Sequence, residues 1–109
     1  MNRIDAFEAM LARGQDGGML RYTLGTEYLK TGDPPTGIAH LQRAVELEPD
    51  YTAAWRALGR ALLDAGRAEQ AVAAFDAGLA AVERTGDKQA GKEMTVFRRR
   101  ALKALGRGT

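Results

Sequence analysis

The strongest constraint on this chain is that it repeats itself. Displaced by 34 residues, the sequence falls back into register: Asp16 on Asp50, Leu24 on Leu58, Gly25 on Gly59, Leu29 on Leu63 and Gly32 on Gly66. The match runs on through Ile38 on Val72, Leu41 on Phe75, Ala44 on Gly78 and Val45 on Leu79. Identical or like-sized residues recur where two packed helices need them. A period of this length marks stacked supersecondary units, each with an apolar face it cannot bury alone. The 109 residues hold two such units in one expected domain, at 16–49 and 50–83, with shorter pieces at either end.

Within each unit the local chemistry is helical. Alanine is abundant, β-branched residues are sparse, and no stretch alternates apolar and polar residues as a strand does. Asp16 and Asp50 suit helix N-caps, where a carboxylate accepts backbone N–H groups. Asp33-Pro34 reads as a cap followed by proline in the first turn, where its missing N–H is no loss. Gly32, Gly66 and Gly86 suit the left-handed position after a helix end. Pro49 biases Glu48 away from helix and closes the first unit. The expected elements are helices at 3–13, 17–31, 34–48, 51–65, 68–84 and 88–105. The fold class is therefore all-α.

The second unit reads Trp55-x2-Leu58-Gly59-x2-Leu62, then Ala71, Phe75 and Gly78. This resembles the tetratricopeptide repeat pattern of Trp-x2-Leu-Gly-x2-Tyr, then Ala, Phe and a small residue. The first unit supplies Leu24, Gly25, Tyr28, Ala44 and Pro49, with Arg21 in place of Trp and Gly37 in place of Ala. Backward, Ile4, Phe7 and Leu11 stand 34 residues before Ile38, Leu41 and Val45, so residues 3–13 form a half-repeat. Forward, Tyr28 and Leu62 continue to Val96, and Leu29 and Leu63 to Phe97, while Lys92 and Glu93 replace Leu and Gly. Residues 87–105 are thus expected to form a divergent capping helix, with Ala90, Met94, Phe97, Ala101, Leu102 and Leu105 as its apolar stripe. The implied architecture is a solenoid of antiparallel helix pairs with about six helices.

The resemblance implies a protein that binds a peptide or a partner protein in a short concave groove, lined by the first helix of each pair. Carried onto this sequence, the groove residues are Met19, Tyr22, Thr26 and Lys30 in the first unit and Ala53, Arg56, Arg60 and Asp64 in the second, with Met94 and Arg98 in the last helix. Arg56 and Arg60 are four residues apart and share a helix face, where two guanidinium groups suit an acidic partner. Some relatives clamp the C-terminal carboxylate of heat-shock chaperones with Lys and Asn; the matching positions here are Tyr22 and Thr26.

Composition narrows the remaining classes. There is no cysteine, hence no disulfide or thiolate metal site, which suits the cytoplasm. No run approaches the apolar length of a membrane span, and residues 1–11 carry Arg3, Asp5 and Glu8, so they lack the apolar core of a signal peptide. His40 is the one histidine, and no nucleophile or metal ligand neighbours it in its helix. Gly86-x4-Gly91-Lys92 has the outline of a phosphate loop, but Glu93 replaces the magnesium-binding hydroxyl and repels phosphate. No cofactor, metal, small-molecule substrate or enzymatic activity is expected. Residues 1–50 carry 5 bases and 8 acids, and residues 51–109 carry 11 bases and 6 acids. That asymmetry leaves two further expectations: a homodimer formed through the terminal helices, and a less favoured nucleic-acid role for Arg98, Arg99, Arg100 and Lys103.

Overall fold

The structure, a computed structural model, describes residues 2–106; Met1 and residues 107–109 of the expected domain lie outside the described part. Among the described residues six helices follow one another: α1 (Arg3–Ala12), α2 (Gly18–Lys30), α3 (Pro34–Leu47), α4 (Thr52–Asp64), α5 (Ala68–Thr85) and α6 (Lys88–Ala104). Each lies within one residue of its expected bounds at either end, and no strand occurs among the described residues. The contacts divide the chain into residues 1–49 and 50–109, a boundary that coincides with the repeat boundary.

In the first unit α2 and α3 form the central pair, and α1 packs on α2. Leu24 and Leu41 are fully buried between them, with Ala44 and Val45 alongside. The pair closes tightly because Gly25 and Gly37 have no side chains at the crossing; Leu41 and Leu29 fill the space around them. Asp33 caps α3 by accepting the Thr36 N–H at 3.3 Å, and prolines occupy its first two positions. The chain leaves α3 at Glu48, whose backbone (φ −135°, ψ 86°) is extended as the following proline requires. Asn2 caps α1 through the Asp5 N–H at 2.8 Å.

In the second unit α4 and α5 form the pair and α6 lies against both. Phe75 is its centre: fully buried, with its ring against the backbone of Gly59. Ala54, Leu58, Leu62, Ala71 and Met94 are buried in the same unit. Gly78 admits α6, since a Cβ there would lie 2.5 Å from the Met94 sulfur and 2.8 Å from Trp55 Cβ. Asp87 ties the start of α6 to α4: it accepts the Ala90 N–H at 3.2 Å and the Thr52 hydroxyl at 2.5 Å. Gly32, Gly66 and Gly86 all stand at positive φ, between 77° and 85°, and turn the chain after α2, α4 and α5.

Two expected caps are not formed. The N-cap positions before α2 and α4 are Gly17 and Tyr51, one residue after the aspartates, and neither makes a side-chain cap. Asp16 is instead gripped by Arg21 at 2.8 and 3.0 Å, and Asp50 by Arg84 at 2.6 Å. In each of these bonds both partners are charged, which makes them stronger than neutral hydrogen bonds.

Candidate functional site

The second unit carries a recess of about 420 Å³ between α4 and α6, lined by Arg56, Ala57, Arg60, Glu93 and Phe97. Phe97 is its aromatic wall, half-buried and offset-stacked on Phe75 with ring centroids 6.4 Å apart. Arg60 and Arg100 lay guanidinium groups over this ring, 4.5 and 4.9 Å from its centroid. Such cation–π contacts hold the cations near an apolar surface while leaving their N–H groups available.

The charged rim is already partly satisfied. Arg56 donates to a Glu93 carboxylate oxygen at 2.6 Å, and Gln89 approaches the other oxygen at 3.4 Å. The Arg56 bond, with the Gln89 bond behind it, holds the Glu93 carboxyl below the usual carboxylate range. Arg60 reaches Asp64 at 3.4 Å, and both side chains are mostly exposed. An exposed pair of this kind is worth roughly 0–1 kcal/mol, so Arg60 is easily redirected to an incoming carboxylate.

The expected groove residues divide accordingly. Arg56 and Arg60 meet at the recess. Ala53 is half-buried one turn before Arg56, and Asp64 is the exposed partner of Arg60. Arg98 points elsewhere, its Nε bonded to Asp76 of α5 at 2.6 Å. Met94 corrects the expectation: fully buried against Gly78, it offers no surface to a partner. Periodicity placed it on both a groove position and the apolar stripe of α6, and packing resolves the overlap in favour of the core. In the first unit, Met19 is 71% exposed. Lys30 lies 3.6 Å from Glu27, the Thr26 hydroxyl donates to the Thr23 carbonyl at 3.0 Å, and Tyr22 is half-buried.

Glu93 and Phe97 were not among the expected site residues. The sequence marks Glu93 as a departure from the Gly of the repeat pattern and from a phosphate loop, and Phe97 as a repeat position within an apolar stripe. A charge at a position that is glycine in both full repeats was the available signal.

His40, expected to stand apart from any chemistry, joins a polar cluster in the first unit. Its ring stacks on Tyr28 at 5.5 Å, and its Nδ1 lies 3.2 Å from an Arg21 guanidinium nitrogen. Arginine can only donate, so Nδ1 accepts and the ring is neutral. Burial, the largest influence, lowers the His40 pKa. The Tyr28 hydroxyl donates to Glu8 at 3.0 Å, and burial together with that bond raises its pKa. Among the described residues no three metal-ligating side chains come together, and no helix is long and apolar enough to cross a membrane.

Comparison with known proteins supplies the family context for this geometry. A profile described as tetratricopeptide repeat matches residues 22–85. A TPR repeat-containing protein of Pseudomonas aeruginosa is 48% identical over 101 residues, spanning 93% of this chain and 96% of its own. The solution structure of a protein from Bordetella parapertussis superposes with a TM-score of 0.78 at 38% identity, covering 94% of this chain and 90% of that one. The crystal structure of YrrB, a TPR protein with an unusual peptide-binding site, matches with a TM-score of 0.71 at 32% identity over 95% of this chain and 56% of that chain.

Proposed function

Because this chain belongs to the tetratricopeptide repeat family, we propose that it is a protein-interaction module whose α4–α6 recess takes a peptide segment of a partner protein. Repeats of this family generally mediate protein–protein interaction and are typically non-enzymatic scaffolds. The observation that carries the reading is the composition of the recess: an aromatic wall and Ala57 on the inside, with Arg56, Arg60 and Glu93 at its rim. An apolar side chain fits against Phe97, and a neighbouring carboxylate fits Arg60. The peptide-binding site of the related YrrB supports a peptide as ligand. A recess of this size buries little area, so the affinity is expected to be roughly micromolar. A chain without cysteine has no disulfide to lose in a reducing compartment, and the proposed setting is the cytoplasm.

The test is selection from a displayed library of natural peptides, run on wild type and on Arg60→Glu. Arg60 is the better choice because Arg56 holds Glu93, and reversing its charge would set two carboxylates together. Wild type is expected to enrich peptides with an acidic residue beside an apolar one, and Arg60→Glu to lose them. The same peptides enriched by both proteins would refute the recess as the binding site.

A further inference from the structure

The two ends of the chain carry the two halves of one repeat. Helix α1 stands in the register of α3 and α5, the second helices of their pairs, and α6 in that of α2 and α4, the first helices. Among the described residues α1 has no first helix of its own, and its burial reflects this. Ile4, Phe7 and Leu11 stay partly exposed, whereas Ile38, Leu41 and Val45, one period later, are 8%, 0% and 2% exposed. On α6, Val96 stands in the place of Tyr28 and Leu62 and is 42% exposed.

The charges on the two helices match in a specific way. Helix α6 carries six bases and a single acid, Glu93; helix α1 carries two acids and a single base, Arg3. Within the first unit the pair crosses at Gly25 and Gly37. Carried along the 34-residue period, that crossing falls on Glu93 of α6 and Arg3 of α1. The lone acid of one helix thus faces the lone base of the other, and the remaining charges are of opposite sign. The Tyr28–His40 contact, 5.5 Å between rings, carries in the same way onto Val96 and Ala6. Arg3 can reach this position: its side chain is 68% exposed, and its contacts with Glu27 at 3.4 Å and the Phe7 ring at 5.8 Å are exchanged at low cost. Glu93 has one oxygen on Arg56 and the other only 3.4 Å from Gln89, so the second can accept Arg3.

We propose that α6 of one copy docks on α1 of the next, completing a third helix pair across the junction. The contact uses a different surface on each copy, so every bound copy still presents an end and association is open-ended. Charged side chains at the crossing hold the helices further apart than two glycines do. Less apolar area is then buried, and the dissociation constant is expected to be roughly 0.1 mM.

Sedimentation equilibrium on the full chain tests this. The weight-average mass of wild type should climb above the 11.8 kDa of one chain as concentration rises. Arg3→Glu disables only the α1 end and Val96→Glu only the α6 end, and each alone weakens association by about tenfold or more. Val96 lies outside the α4–α6 recess, so its variant still selects peptides as wild type does. An equal mixture of the two variants regains wild-type affinity but stops at a dimer, because one intact α6 meets one intact α1 and both remaining ends are blocked. Should either glutamate disturb its helix by circular dichroism, Arg3→Ala and Val96→Ser give the same pattern in weaker form. A wild type that stays monomeric at about 1 mM overturns the proposal. So does a mixture that associates no better than its components, the result for α1 on α1 or α6 on α6.

Discussion

Gly25 and Gly37 face each other so closely that a Cβ built on either meets the backbone carbonyl of the other, at 3.0 Å from Gly25 and 2.9 Å from Gly37. Backbone cannot yield as a flexible side chain can. Gly37→Val is therefore expected to push α2 and α3 apart and lower stability by about 1–3 kcal/mol, although valine is the better helix former. Urea unfolding of Gly37→Val beside wild type, followed by circular dichroism, measures the loss; stability equal to wild type or above it would show that the two helices separate freely.

Phe75, one period after Leu41, fills the helix crossing of the second unit, with no exposure and contacts to Gly59 and Phe97. Phe75→Ala leaves a cavity that neighbouring helices cannot fill and is expected to lower stability by about 3–5 kcal/mol. Phe75→Leu, which keeps most of the volume, should lose distinctly less. Thermal unfolding of the two variants beside wild type provides the ranking; equal losses would mean that the site relaxes freely.

His40 makes stability depend on pH in a stated direction. Its folded-state pKa is lowered, chiefly by burial, so near and below the ordinary value of about 6.5 the unfolded chain binds the proton more readily. Its contribution is complete above that value and is lost as pH falls through the folded-state pKa. Protonation also removes the acceptor at Nδ1 and sets a cation against Arg21. Between pH 7.5 and 5.5 the urea midpoint of wild type should fall, and that of His40→Gln should fall less, since a glutamine oxygen still accepts from Arg21 without titrating.

Asp87 joins two elements through one carboxylate, accepting from the Thr52 hydroxyl and the Ala90 amide. The Thr52 bond above all lowers its pKa, so its contribution is present above the ordinary carboxylate range and disappears as pH falls below it. Asp87→Ala is expected to fray the start of α6 selectively. Amide hydrogen exchange should speed up at Ala90, Gly91 and Lys92 and stay unchanged in α3; protection of those three amides equal to wild type would show that packing alone holds α6.

The sequence by itself determined the helices, their order and their pairing. Those properties rest on local chemistry and on a period: Asp33-Pro34 and Pro49 act on their immediate neighbours, and Gly25, Leu41, Gly59 and Phe75 recur 34 residues apart because each pair must bury the same face. Tertiary structure decided where individual side chains spend their interactions. Asp16 and Asp50 satisfy every local rule for a cap, yet Arg21 and Arg84 take them, the second from 34 residues away. Met94 fits both a groove and a core position, and the missing side chain of Gly78 draws it inward. Arg56 meets Glu93 only because α6 returns to lie beside α4, which turns two unremarkable surface charges and Phe97 into one recess. A charge has no period, and its partner is chosen by whichever opposite charge the packed helices bring within reach.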